Sequence, residues 1–170
     1  MFTENTITIN APAESVYNLA WDVLNWPEIL PHYRRVTLLK EEGDHRVVEM
    51  AASRDGIPVS WVSIQKPLPE IGRIIFRHIG GPTTGMYVEW IIRENTNEQG
   101  RITHVRITHE FEPHWVPVLG AFAAKYIIGR FFVHNIASKT LKRIKEIAEA
   151  QLPTLPRRPC PHNERERVVR

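Results

Sequence analysis

From Tyr33 to Glu112 apolar and polar residues alternate with a period near two, and after Pro117 the period becomes 3.6. The alternating stretch predicts strands over 33–41, 45–54, 57–66, 71–79, 85–95 and 101–112. Turn chemistry separates them: Glu42-Gly43-Asp44, Asp55-Gly56, Pro67 to Gly72, Gly80-Gly81-Pro82 and Asn95 to Gly100. Asp55-Gly56 between two strand-like runs is a hairpin signal, and short links imply an antiparallel meander. An earlier strand, Thr3 to Asn10, leads into a helix with Asn10 as its expected N-cap and Pro12 and Glu14 in the first turn. Val16, Leu19, Ala20 and Val23 give that helix its apolar stripe. Asn25-Trp26-Pro27-Glu28 interrupts it, and a short second helix is expected to reach about Pro31. Leu119, Phe122, Tyr126, Val133, Ala137, Leu141, Ile144 and Ala148 keep helical spacing over a long final helix. The chain therefore reads as α+β. A seven-stranded antiparallel sheet must cover its apolar face, and the long helix is the element able to do so. A curved sheet wrapped round one helix leaves a cavity, which the two short helices close at one end.

Strand side chains alternate between faces. Ser63 and Gln65 thus share a face with Trp61, and His109 shares one with Val105, Ile107 and Phe111. Trp90 lies in a similar strand. A greasy sheet face bearing a few hydrogen-bonding groups suits a mostly apolar, partly oxygenated ligand.

Length and composition narrow the classes. A chain of 170 residues suits one domain with a real core. Residues 1–150 are expected to form it, and 151–170, rich in Pro and Arg, a disordered tail. The tail holds five arginines and two glutamates, enough to account for the whole net charge of +3. The body is then neutral, without the basic face of a nucleic-acid binder. No apolar run is long enough for a membrane span. The N-terminus lacks the basic start and apolar run of a signal peptide. Cys160 stands alone, so no internal disulfide forms, which fits a reducing cytoplasm. Eight histidines invite a metal, yet no His-x-x-x-His, cysteine pair or carboxylate cluster has ligand spacing. No nucleophile elbow or phosphate-cradling loop is present.

Several strings resemble the helix-grip superfamily of START-like domains, and within it the bacterial aromatic polyketide cyclase/aromatases, with coenzyme Q-binding proteins as nearby relatives. They are Ile9-Asn10-Ala11-Pro12, Asn25-Trp26-Pro27-Glu28, Trp61-Val62-Ser63, Met86-Tyr87-Val88-Glu89-Trp90-Ile91-Ile92-Arg93, His109-Glu110-Phe111-Glu112 and Leu141-Lys142-Arg143-Ile144-Lys145. The likeness covers about residues 3–150. One departure stands out. Cyclases of this type commonly carry an arginine two residues after the Trp-x-Ser serine, and here that position is Gln65. Arginine brings a permanent cation and a fork of donors, whereas glutamine is a neutral donor and acceptor.

The resemblance implies a cytoplasmic, cofactor-independent cyclase/aromatase, which closes a poly-β-ketone by aldol chemistry and dehydrates it. Such chemistry needs a folded chain, a base, a donor for enolate and alkoxide oxygens, and an acid. His109 is the acid/base candidate because imidazole titrates near neutral pH; otherwise it is a satisfied core histidine. Tyr33 matches a pocket tyrosine of the family, and its bland alternative is a rim tyrosine. Ser63 and Gln65 are a candidate donor pair, against a polar edge facing buried water. Trp26, Trp61, Met86, Trp90 and Ile107 are expected to wall the ligand, against plain core packing. Arg77, Arg130 and His134 are weaker candidates; Arg130 is placed to supply the missing cation or to reach solvent past the helix stripe. The implied partners are a hydrophobic polyketide ligand and an acyl carrier protein, and a homodimer is compatible with the chain. Non-catalytic carriage of a quinone-like or other hydrophobic ligand is the alternative function.

Overall fold

The inner face of the last strand shows how the pattern becomes structure. Thr103, Val105, Ile107, His109 and Phe111 are buried, while His104, Arg106 and Glu110 between them are exposed. The structure, a computed structural model, describes residues 1–54, 57–97, 100–111 and 134–151. Its strands are β1 (Phe2–Ile9), β2 (Tyr33–Glu42), β3 (His45–Arg54), β4 (Ile57–Leu68), β5 (Arg73–Gly80), β6 (Tyr87–Asn97) and β7 (Gly100–Glu110). They form one antiparallel sheet in the order β1-β7-β6-β5-β4-β3-β2. Six strands follow one another as a meander. The first joins the far edge beside β7, so the chain between β1 and β2 must cross the open side of the sheet. That crossing carries α1 (Ala13–Trp21), a 3-10 turn (Val23–Asn25) and α2 (Trp26–Ile29).

The start of α1 differs from expectation. Pro12, not Asn10, is the N-cap and offers no side-chain hydrogen bond. A carboxylate from the sheet replaces it: the Ala13 backbone N–H donates to Glu94 Oε2 at 2.8 Å. The Asn10 backbone N–H is engaged elsewhere, donating to Glu149 Oε1 at 2.8 Å. Both acids satisfy donors that the chain's entry into the helix leaves open. The break before α2 falls earlier than the sequence implied, at Asp22, and Pro27 lies in the first turn of α2, where it is tolerated.

The final helix, α3 (His134–Ala150), buries Ile136, Ala137, Thr140, Leu141, Ile144 and Ala148 along one stripe. Polar ties hold its flanks. Asn5 Nδ2 donates to Ser138 Oγ at 2.8 Å, Lys145 Nζ to the Thr8 carbonyl at 2.8 Å and Arg143 Nε to the Ile29 carbonyl at 3.1 Å. These fix α3 against β1 and α2, so one wall of any interior space is rigidly placed. The part of the expected long helix before residue 134, Arg130 within it, the Asp55-Gly56 hairpin tip and residues 152–170 lie outside the described residues. No helix among the described residues is long and apolar enough to cross a membrane.

Candidate active site

A cavity of about 70 Å³ lies between the concave sheet and α3. A buried water needs some 10–15 Å³ of such space, so there is room for several waters. Its lining includes Trp26, Tyr33, Trp61, Met86, Trp90, Ile107 and His109, all named from the sequence. Trp26 is the hub of the aromatic wall. Its ring centroid lies 4.8 Å from Tyr33 in an edge-on contact and 6.0 Å from Trp90. Trp26 Nε1 donates to the Leu19 carbonyl at 2.9 Å, so its polar edge is spent on α1 and its ring is what the interior meets. Trp61 continues the wall 6.2 Å from Tyr33.

His109 is buried on β7, opposite Val88 of β6 and Thr3 of β1. Tyr33, at the start of β2, is also buried. Burial pushes its phenol above the ordinary tyrosine value, and the nearby Thr140 hydroxyl of α3 offsets part of that rise. Tyr33 therefore stays protonated and can donate.

The sequence reading missed His78. It follows Ile74 and Phe76 in the inward alternation of β5, the one signal that could have found it. Its imidazole lines the cavity and stacks on Trp61 at 5.7 Å with 19° between planes. Nδ1 shares a 2.7 Å hydrogen bond with Thr83 Oγ1. Burial, with a smaller contribution from charge on His109, lowers its pKa to about 3. His78 is accordingly neutral near pH 7. Thr83 reaches it because the β5–β6 loop folds back. Met86 N–H donates to the Thr83 carbonyl at 3.0 Å, and Gly85 N–H to the His78 carbonyl at 2.9 Å. The turn needs Gly81, whose φ is 86°; a Cβ there would lie 2.5 Å from the Ser60 carbonyl oxygen and 2.9 Å from Trp61 Cα.

Gln65, Ser63 and Arg77 are outside the cavity lining. Gln65 is fully buried but bound at both ends: its Oε1 accepts from Arg46 Nε at 2.8 Å, and its Nε2 donates to the Trp21 carbonyl at 3.0 Å. Arg46 Nη2 donates to the same carbonyl at 2.8 Å, and its guanidinium lies 3.8 Å over the Trp21 ring. Arg46 is directly opposite Gln65 in the β3–β4 register. The cation absent from position 65 is thus supplied by the neighbouring strand, and it caps the C-terminal end of α1, where carbonyls attract positive charge. Gln65 and His109 occupy one cross-strand row, with Phe76 and Val88 between them. Three strand spacings, about 14 Å along the sheet, separate their backbones. Ser63 is fully buried opposite His78, and its Oγ has no hydrogen-bond partner among the described residues. Arg77 faces the outer side of β5 and is exposed, because it is one residue out of phase with Phe76 and His78. No group of three or more His, Cys, Asp or Glu among the described residues could hold a metal ion.

A curved antiparallel sheet that encloses an aromatic-walled cavity against one long helix is the helix-grip arrangement. Residues 9–129 match the family model described as polyketide cyclase / dehydrase and lipid transport, and the chain belongs to that family. It is 32% identical over 111 residues to the granaticin polyketide synthase bifunctional cyclase/dehydratase of Streptomyces violaceoruber, which covers 64% of this chain. The chain spans about one third of that relative, 33% of its length. Among solved structures, the Zhui aromatase/cyclase from Streptomyces sp. R1128 superposes with a TM-score of 0.77 at 25% identity, over 91% of this chain and 96% of that one. A START superfamily protein from Mycobacterium smegmatis shares the fold at TM-score 0.58 and 17% identity, over 88% of this chain and 94% of that one.

Proposed function

We propose that this protein is an aromatic polyketide cyclase/aromatase, which bends a poly-β-ketone delivered by an acyl carrier protein into the cavity and promotes aldol closure and dehydration. The observation that carries the reading is the convergence of His109, His78 and Tyr33 on one aromatic-walled space. Trp26, Trp61 and Trp90 would hold the chain bent, bringing one carbon near one carbonyl. His109 would take the proton from the carbon between two carbonyls and return it when water leaves. His78, kept neutral, and Tyr33, kept protonated, would donate hydrogen bonds to the enolate and alkoxide oxygens. With both ends of Gln65 engaged, we assign that residue to holding the end of α1 rather than to the chemistry.

The test incubates the protein with the products of a minimal polyketide synthase and profiles the aromatic compounds formed. The expected result is a redirected profile that reverts to the uncatalysed mixture in His109→Ala. A folded His109→Ala that behaves like the parent removes the acid/base assignment. The second reading, carriage of a quinone-like ligand, is favoured by the absence of a cation on the cavity wall among the described residues. It predicts saturable quinone binding together with an unchanged product profile.

A further inference from the structure

The β5–β6 turn holds a hydroxyl that the chemistry above does not use. Thr83 is buried, and its Oγ1 lies 2.7 Å from Nδ1 of His78. That is the hydroxyl's one hydrogen bond among the described residues. The same turn grips the backbone of His78 on both sides. The His78 N–H donates to the Met86 carbonyl at 2.9 Å, and the His78 carbonyl accepts from the Gly85 N–H at 2.9 Å. The Thr84 hydroxyl closes the turn by donating to the Gly81 carbonyl at 2.6 Å. Thr83 is thus delivered to the imidazole by the backbone that carries the imidazole, and the stacked Trp61 ring holds it in plane. With Nδ1 engaged, Nε2 is the nitrogen left to meet the cavity that His78 lines.

We propose that Thr83 is a positioning residue that fixes His78 as the Nε2–H tautomer, so that this end of the cavity binds a ligand oxygen able to accept, a carbonyl or an enolate. Its part in catalysis rests on the cyclase reading. A threonine hydroxyl has one proton and two lone pairs, so two arrangements fit the contact. In one, His78 Nδ1–H donates to Thr83 Oγ1, and the hydroxyl proton is buried with no acceptor among the described residues. In the other, the Thr83 O–H donates to a bare Nδ1, and the ring proton sits on Nε2. Only the second uses the hydroxyl's donor, and a buried donor left unused carries the full cost of its desolvation. The hydrogen bond at one ring nitrogen decides which nitrogen keeps the proton. A neutral His78 then shows the cavity an N–H and no lone pair at Nε2. It can hold a developing oxyanion and cannot take a proton from carbon, which leaves that task to His109. A ligand group that only donates finds no acceptor at Nε2.

Two measurements decide the matter. The first records the imidazole ¹⁵N resonances of the full chain near pH 7, with His78 identified by its loss in His78→Gln. The proton should sit on Nε2. The Nδ1 resonance should move in Thr83→Val, which cannot donate, and stay near the parent in Thr83→Ser; a purely structural role would not produce that pattern. A proton on Nδ1 in the parent, or an Nδ1 resonance indifferent to Thr83→Val, overturns the assignment. Should Thr83→Val fail to fold, the protonation site in the parent decides by itself. The second compares aromatic product formation, per folded molecule, on the poly-β-ketone made by a minimal polyketide synthase. Thr83→Val should lower it roughly tenfold and Thr83→Ser should stay near the parent. That is less than the roughly 10² to 10³ lost with an oxyanion donor itself, because the ring stays in place and only its tautomer is released. A Thr83→Val protein as fast as the parent overturns the positioning role. If the parent leaves the polyketide mixture unaltered, the cyclase reading fails and the ¹⁵N spectrum alone decides: a proton on Nε2 held by the Thr83 hydroxyl supports the fixed donor, and a proton on Nδ1 overturns it.

Discussion

Arg46 and Gln65 sit side by side on the inner face of the sheet at the foot of α1, and His78 and His109 sit on the same face beside the cavity. Both pairs are buried and both come from the period-two pattern. In the first, the amide and guanidinium are turned on one another and on the Trp21 carbonyl. In the second, the rings border open space. A polar residue in the inward phase of a strand thus has two fates. Where a helix end supplies a carbonyl, the group is consumed as structure. Where the group borders a cavity walled by aromatic rings, it lies within reach of whatever fills that space.

The largest effect that separates the two regions is on rate. His109→Ala should lower aromatic product formation, measured per folded molecule, by roughly 10² to 10⁴. Comparable loss in Gln65→Met, measured per folded molecule, would break the comparison by returning Gln65 to the chemistry. Next comes pH. His78 is held at about 3 in the folded protein, below the roughly 6.5 of an unfolded chain. Below pH 6.5 the unfolded state takes up a proton that the native state refuses. The stability contributed by neutral His78 is therefore complete above that pH and drains away as pH falls towards 3. The slope is about 1.4 kcal/mol per pH unit, or some 3 kcal/mol by pH 4.5. Urea midpoints between pH 7 and 4.5 should fall less steeply in His78→Gln than in the parent; parallel slopes would mean that His78 is not held neutral by burial.

How much of this was legible beforehand follows the same divide. Period-two alternation put His109 with Val105 and Ile107, and Ser63 and Gln65 with Trp61, on the buried side, because facing is a local property of a strand. The helix-grip order followed from the need to cover one sheet face with one long helix. Hydrogen-bond partners are not local. Nothing near Gln65 in the chain announces Arg46, nineteen residues away, or the carbonyl that ends α1. His78 is in phase with Ile74 and Phe76, but its partner is not legible, because Gly80-Gly81-Pro82 after it reads as plain turn chemistry. That turn in fact returns Thr83 to the imidazole.

A smaller, structural test concerns the consumed pair. Gln65→Met leaves Arg46 Nε without its acceptor and the Trp21 carbonyl with Arg46 Nη2 alone, and should cost about 2 kcal/mol in urea unfolding. Gln65→Arg, which matches the arginine common in similar cyclases, should do no better, since it sets a second guanidinium beside Arg46. The exchanged pair Arg46→Gln with Gln65→Arg should recover much of the loss, because one cation and one amide again face the end of α1. If Gln65→Arg alone is as stable as the parent, Arg46 is not the substitute cation that the register makes it.

The smallest effect has the most informative sign. Ser63 lies between the two regions, one inward step from Gln65 along β4 and opposite His78 on β5. Its Oγ is buried without a partner among the described residues, so it carries a desolvation cost that no hydrogen bond returns. Ser63→Ala removes that hydroxyl and almost no volume, and should raise stability by about 1 kcal/mol. A hydroxyl consumed as structure, like the Gln65 amide, would give the opposite sign, a loss of similar size. A rise in the urea midpoint accompanied by slower aromatic product formation would place Ser63 with the histidines, as a group kept costly in the empty protein because a ligand oxygen satisfies it. A rise with unchanged rate would leave it outside both regions, a serine tolerated in a wall that alanine fills as well.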